Sequence, residues 1–310
     1  KTNSRHLKST LWILIVWHLA SLLLLRVLTG MMVFYFSALI LYIVFGRRLD
    51  YRIRISILAF LILLPAASLI YVKNIAGDYF TIKQKDTAML PALTQSGRKY
   101  SNDTLRKEYE NGYLVWVCIS DHELRKEWNK KSRLPYDSLD LKGNGIKYTL
   151  IRYLTSKNIL KDSSGIAQLS AEDIKNIENG VPNIIYMEKS GLYKRIYETI
   201  WELDHYFRFN YPNGHSVAQR LEYLKTSAKI ISRNFWLGVG TGDVQQAFYQ
   251  TYEEMKTPLE LKYRHRAHNQ FITLLITFGI FGFIWILFVL ICWYVHLLED
   301  LPLDSDKSHP

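Results

Sequence analysis

Residues 9–45 read STLWILIVWHLASLLLLRVLTGMMVFYFSALILYIVF, with one basic residue, Arg26, and no acidic one. A run of about 20 apolar residues crosses a bilayer as a helix. This block is too long for one ordinary span and just long enough for two short ones. A helix over about 9–25, a tight reversal near Arg26 with Gly30 close behind, and a helix over about 27–45 are therefore expected. Residues 55–72, ISILAFLILLPAASLIYV, form a third expected span with a kink at Pro65. Residues 269–298 carry no formal charge, and a fourth span is expected over about 269–296. The implied fold class is an all-α membrane protein of about four transmembrane helices, with a large, mainly helical insertion between the third and fourth. A purely soluble chain and a disordered one are both excluded.

Charge gives the orientation. The 310 residues carry 39 Lys+Arg against 28 Asp+Glu, a formal net charge of +11. Lys1, Arg5 and Lys8, and the cluster Arg47, Arg48, Arg52 and Arg54, mark the cytoplasmic side, because basic residues stay inside. With four spans, residues 73–267 and Arg26 fall on the outer side, which is the periplasm in a bacterium with two membranes. The expected domains are three spans in 1–72, a periplasmic region over 73–267, a last span over 268–296 and a cytoplasmic tail over 297–310. The chain starts at Lys1, not Met, which suggests a partial or processed chain. No aromatic-basic stripe or nucleic-acid module appears, so nucleic acid is not an expected partner. Cys118 and Cys292 make neither a disulfide framework nor a zinc spacing.

The outer region carries helical patterns. Ser120-Asp121-His122-Glu123 reads as a capping box for a helix toward Trp128. Ser170 before Ala171-Glu172-Asp173, with Gly180 beyond, brackets a second helix. Leu192, Ile196, Ile200, Leu203 and Phe207 share one helical face, and so do Val217, Leu221, Leu224, Ala228 and Ile231. Strand patterns are weak and short.

The stretch that carries chemistry is 231–282. His268 and Asn269 stand at the outer mouth of the last span. Gly279 and Gly282 follow at spacings that put them on nearly the same helix face as His268, and small residues there let another helix approach. Arg26, inside an apolar block, is a functional suspect because a cation there is costly. Arg264 and Arg266 flank the histidines and suit anionic groups. His265 and His268 lack a carboxylate or cysteine partner in a zinc-like pattern, so no metal is expected. Gly238-x-Gly240-x-Gly242 is not a dinucleotide fingerprint, and the better reading is a turn that places the chain against the membrane.

His268-Asn269, nine residues, then Gly279-Ile280-Phe281-Gly282 resembles the His-Asn-x9-Gly-x-x-Gly signature of the O-antigen ligase and polymerase superfamily. Upstream, Arg220, a helix and Leu237-Gly238-Val239-Gly240-Thr241-Gly242 also look like that family. Arg26 takes the place of the family's arginine at the outer end of an earlier span, although Leu25 stands where a serine is usual. The resemblance covers roughly 9–72 by pattern and 216–290 by motif. Members have about a dozen spans, which agrees with a partial chain.

The resemblance implies a metal-independent glycosyltransferase without cofactors in the bacterial inner membrane. Its donor would be an undecaprenyl-diphosphate-linked glycan, and its acceptor a hydroxyl of lipid A–core or of another glycan. His268 would be the general base, with Arg220 and Arg26 clamping the diphosphate. Asn269, Arg264 and Arg266 would bind substrate. Ligase and repeat-unit polymerase share this motif set and both stay open. A sensor or binding protein with a periplasmic receptor domain is the alternative from another class; the short cytoplasmic segments give it little room for an output domain.

Overall fold

The computed structural model describes residues 9–10, 13–18, 20–21, 28–83, 90–189 and 191–299. It is mostly helical, and the chain divides into two units, residues 1–198 and 199–310. Among the described residues three helices are long and apolar enough to cross a bilayer: Gly30–Arg48, Tyr51–Phe80 and Gln270–Trp293. Within the expected first span residues 9–10, 13–18 and 20–21 are described and helical, and the reversal at Arg26 falls outside the described residues.

In the first unit, α1 (Leu28–Phe45) leads through a short 3-10 turn to α2 (Tyr51–Phe80). α2 starts earlier than expected, so Arg52 and Arg54 lie inside it, and it runs on to Phe80. Pro65 sits within this helix. Proline has no N–H, so the carbonyl four residues back, that of Leu61, loses its helical donor. The Tyr35 hydroxyl on α1 donates to that carbonyl at 2.8 Å. Two apolar helices are thus tied at the one place where the proline leaves an acceptor open.

A small helical module follows. A two-residue hairpin, β1 (Tyr109–Glu110) and β2 (Tyr113–Leu114), turns through Asn111-Gly112, both with positive φ. The helices are α3 (Asp121–Lys131), α4 (Ile146–Ser156), α5 (Ser163–Ala167), α6 (Ala171–Glu178) and α7 (Ile185–Glu188). Trp128, Tyr136, Leu150, Tyr153 and Ile177 are fully buried between them. The hairpin is pinned by a buried polar network. Arg152 pairs with Glu110 at 2.6 Å, Asn183 donates to Glu110 at 2.6 Å, and the Tyr197 hydroxyl donates to Asn111 at 3.0 Å.

The helix starts are met unequally. α6 lies between Ser170 and Gly180 as expected; Ser170 and Asp173 form a capping box at its start, and Gly180 beyond it has φ +69°. At α3 the box does not form, and Ser120 makes no side-chain cap. Glu123 is taken instead by Thr94 at 2.7 Å, Ser96 at 2.5 Å and the Ser163 amide at 3.0 Å. Three tertiary donors, of which Thr94 is buried with the carboxylate, outcompete the single local one.

α8 (Gly191–Phe209) carries the boundary between the units. Its buried side chains are Tyr197, Trp201 and Tyr206, while Leu192 and Phe207 of the expected face are exposed. The second unit continues with α9 (Ser216–Arg233), α10 (Val244–Glu254), a 3-10 turn at Leu261–Tyr263 and α11 (Gln270–Glu299). α9 is also rotated from expectation. It buries Ala218, Glu222, Tyr223, Thr226, Ser227 and Ile230, and leaves Leu224 exposed. A polar face can be buried because its groups are paired. Glu222 accepts from Tyr206 and from Thr257 at 2.8 Å, and the Tyr223 hydroxyl donates to the Tyr263 carbonyl at 2.8 Å. Tyr223, Ile230, Phe248, Tyr252, Leu259 and Ile276 join α9, α10 and the start of α11 in one core.

α11 is broken at Gly279, whose φ of 62° and ψ of −171° are open essentially only to glycine. The expected common face of His268, Gly279 and Gly282 does not exist. His268 precedes the helix, and the helical phase is lost at the break. What approaches Gly279 is the backbone of the 235–240 loop, not a helix.

Candidate active site

Tyrosines of the second unit's core hold the segment 263–269 in place. The Tyr252 hydroxyl on α10 donates to the His265 carbonyl at 2.6 Å, and Tyr223 on α9 holds that of Tyr263. Burial pushes both phenols above their ordinary pKa, so they remain donors at neutral pH. Ala267 is buried between its exposed neighbours. The chain then turns at His268 with φ +50°, a left-handed conformation in which Asn, Asp and His are the common non-glycine residues. This turn leaves the imidazole exposed, edge-on to Tyr223 at 5.9 Å between ring centroids and 5.8 Å from His265.

Asn269 starts α11. Its side-chain oxygen accepts from the Ile272 amide at 3.2 Å, and its carbonyl accepts from Thr273 N at 2.9 Å. The residue is a helix cap, a role the sequence reading did not give it. Among the described residues its side-chain NH2 has no hydrogen-bond partner.

His268, Asn269, Arg264 and Arg266 line one open cleft of about 640 Å³, together with Gln245 and Tyr249 of α10. The arginines are held differently. Arg264 is largely buried, donates to the Leu259 carbonyl at 3.0 Å and pairs with the exposed Glu253. Arg266 is exposed and bonds only to a neutral group among the described residues, Gln245 at 2.8 Å. Arg266 thus keeps its full charge for a ligand, while part of Arg264's is answered by Glu253. Gln270 and Thr273 of the first turn of α11 also line the cleft, so the helix brings its positive dipole end there. The cleft is built to attract an anion next to an imidazole.

Arg220 lies on α9 one turn before Tyr223. It is exposed, makes no ion pair among the described residues, and does not line the cleft. Arg26 lies outside the described residues. Gln245, Tyr249, Tyr223 and Tyr252 escaped the sequence reading. For the α10 residues among them the signal was an amphipathic helix whose apolar side is aromatic.

The Gly238 turn closes this side of the unit. The amides of Val239 and Gly240 donate to the carbonyls of Ile276 and Thr277 at 2.9 and 3.0 Å, and the Ile280 amide donates to the Phe235 carbonyl at 2.8 Å. A Cβ on Gly238 would collide with the backbone of Thr277 and Gly279, and one on Gly279 with that of Trp236.

Three helices long and apolar enough to cross a bilayer, one of them starting at a cleft lined by His268, Arg264 and Arg266, point to a membrane protein and make this cleft its candidate site. The family model described as O-antigen ligase matches residues 175–287 and thereby supports the superfamily to which the sequence motifs point. The matched range takes in the whole cleft and the break at Gly279. No curated protein matches the chain, and no solved structure does. The family supports a membrane glycan-transfer function of the O-antigen ligase or polymerase type.

Proposed function

We propose that this protein moves a glycan from an undecaprenyl-diphosphate carrier to a hydroxyl of lipid A–core, the reaction of an O-antigen ligase. The observation that carries this reading is the convergence of His268, Asn269, Arg264 and Arg266 on one cleft at the N-terminus of a membrane-crossing helix. The leaving group is a lipid diphosphate, so the charge that grows as the anomeric C–O bond breaks needs fixed cations. Guanidinium groups meet phosphate oxygens in forked geometry and stay charged at any working pH. Arg266 is the first of these, supported by Arg264. The acceptor hydroxyl loses its proton as its oxygen bonds to the anomeric carbon. Imidazole is the side-chain base suited to neutral pH, and His268 takes that proton. The free NH2 of Asn269 orients the acceptor. The step needs no metal.

In this reading the cleft faces the periplasm at the inner membrane, residues 73–267 form the periplasmic region, and 297–310 are cytoplasmic. The test is deletion of the gene followed by gel analysis of surface polysaccharide, with complementation by the full-length protein. Core left wholly uncapped supports a ligase. Core bearing a single repeat unit identifies a polymerase and replaces the acceptor named here. Unchanged polysaccharide overturns the reading.

A further inference from the structure

The loop between α9 and α10 pairs with a membrane-crossing helix at a depth that can be bounded. α11 has 30 residues, Gln270–Glu299. A hydrocarbon core takes about 20 of them. Any stretch of that length within Gln270–Glu299 includes Ile280 and Phe281, wherever the bilayer is drawn. Those are the residues the loop holds. The Ile280 amide donates to the Phe235 carbonyl at 2.8 Å and the Phe281 amide to the Trp236 carbonyl at 3.4 Å, and the Trp236 ring stacks on Phe281 at 5.4 Å. Phe235, Trp236 and Leu237 are 41%, 62% and 78% exposed, as open as the lipid-facing side chains of α11 itself.

Two further features suit lipid. No charged residue lies between Arg233 and Asp243. And the loop groups that meet the broken helix are paired. Irregular backbone survives at membrane depth only where its polar groups are paired. The break at Gly279 frees the carbonyls of Ile276 and Thr277 and the amides of Ile280 and Phe281. The loop answers all four with Val239 N, Gly240 N, Phe235 O and Trp236 O, while Gly238 N returns to Asn234 O at 2.9 Å.

We propose that Phe235-Trp236-Leu237 is a bilayer-inserted wedge, seated on the broken span and presenting its three apolar side chains to lipid. The wedge fixes the height of the second unit over the membrane surface. It rests on α11 crossing the bilayer and is independent of the chemistry proposed for His268.

The experiment attaches a nitroxide to Leu237→Cys in the full-length protein in phospholipid vesicles, in a Cys292→Ser background, Cys118 being buried. Collision rates with oxygen, which concentrates in lipid, and with a water-soluble nickel complex are compared. Ile284→Cys on α11 is the lipid reference and Gln250→Cys on α10 the aqueous one. The expected result is an oxygen-to-nickel ratio at Leu237 several-fold above that at Gln250 and close to that at Ile284. A ratio at Leu237 equal to that at Gln250, with Ile284 still lipid-like, overturns the wedge and leaves the span intact. An aqueous ratio at Ile284 as well overturns both. Glycan transfer is not read, so neither failure bears on the proposed reaction.

Discussion

The Gly238 and Gly279 backbones interlock: a Cβ on Gly238 would meet the backbone of Thr277 and Gly279, and one on Gly279 would meet that of Trp236 and Leu237. The first lies in a turn at φ +72°, the second in a helix break. Neither works without its partner, because the break frees the groups that the turn takes up. Gly238→Ala and Gly279→Ala should each cost more than the ~1–3 kcal/mol of backbone strain alone. Gly242→Ala should be silent, since Gly242 has open space around it and no positive φ. Melting temperatures of the three variants in detergent, with their amounts in the membrane, check this. Equal behaviour of Gly242 and Gly279 would remove the docking as the reason for the glycines.

His268 combines a left-handed backbone with an exposed imidazole, so a substitution risks testing both at once. Asparagine is at ease at φ +50° and has no basic nitrogen. His268→Asn should therefore keep the melting temperature of the parent and lose on the order of 10²–10⁴-fold in glycan transfer. Transfer at the parental rate would end the role of His268 as a base.

The membrane class was legible because apolar length depends on no tertiary partner, and the His268-Asn269 spacing to Gly279 was legible as a motif. Its geometry was not. A face drawn at 100° per residue assumes one unbroken helix, and nothing local in QFITLLITFGIFG says that Gly279 leaves it. The buried sides of α8 and α9 were misplaced for a related reason. Aliphatic residues were counted as core, but Tyr197, Tyr206 and Tyr223 bring both apolar area and a hydroxyl, and the Tyr206 hydroxyl lets Glu222 be buried beside it. Which arginine would be free also lay beyond the sequence. It depends on Glu253 reaching Arg264 across eleven residues, while Arg266 finds only Gln245.

That difference separates the two arginines experimentally. Arg264→Ala strips the buried Leu259 carbonyl of its donor and should cost about 1–3 kcal/mol of stability as well as activity. Arg266→Ala should leave the melting temperature within about a degree or two and raise KM for the lipid-linked donor. Arg266→Lys should restore little, because a single ammonium does not reproduce the forked contact. A thermal scan beside steady-state kinetics on the same preparations decides it. A destabilised Arg266→Ala would mean a structural role.

Glu123 and Asp173 predict how the first unit responds to acid. Burial raises both carboxyls, but hydrogen bonds outweigh it: Ser96, Thr94 and Ser163 on Glu123, and Lys157, Tyr153 and Ser170 on Asp173. Both are held down at about 2. Free carboxylates titrate near 4. The unfolded chain therefore takes up protons first as pH falls, and the stabilisation is full above about 5 and drains away toward pH 2. Ser96→Ala should lift the Glu123 value and move the acid transition to higher pH. Circular dichroism along a pH titration reads it, and an unmoved transition would show that Ser96 contributes nothing there.

Tyr35 and Pro65 offer the cleanest test of how the first two described spans are held together. The Leu61 carbonyl accepts the Tyr35 hydroxyl because proline at position 65 cannot donate to it. Tyr35→Phe should cost roughly 0.5–2 kcal/mol, the usual range for a hydrogen bond between membrane helices. Pro65→Ala restores the helical donor, so the carbonyl no longer depends on the other helix. In that background Tyr35→Phe should be nearly neutral, and the double-mutant cycle should show coupling of the same size as the single loss. Additive effects of the two substitutions would mean that the tyrosine stabilises the pair by packing and that the open carbonyl is not what it answers.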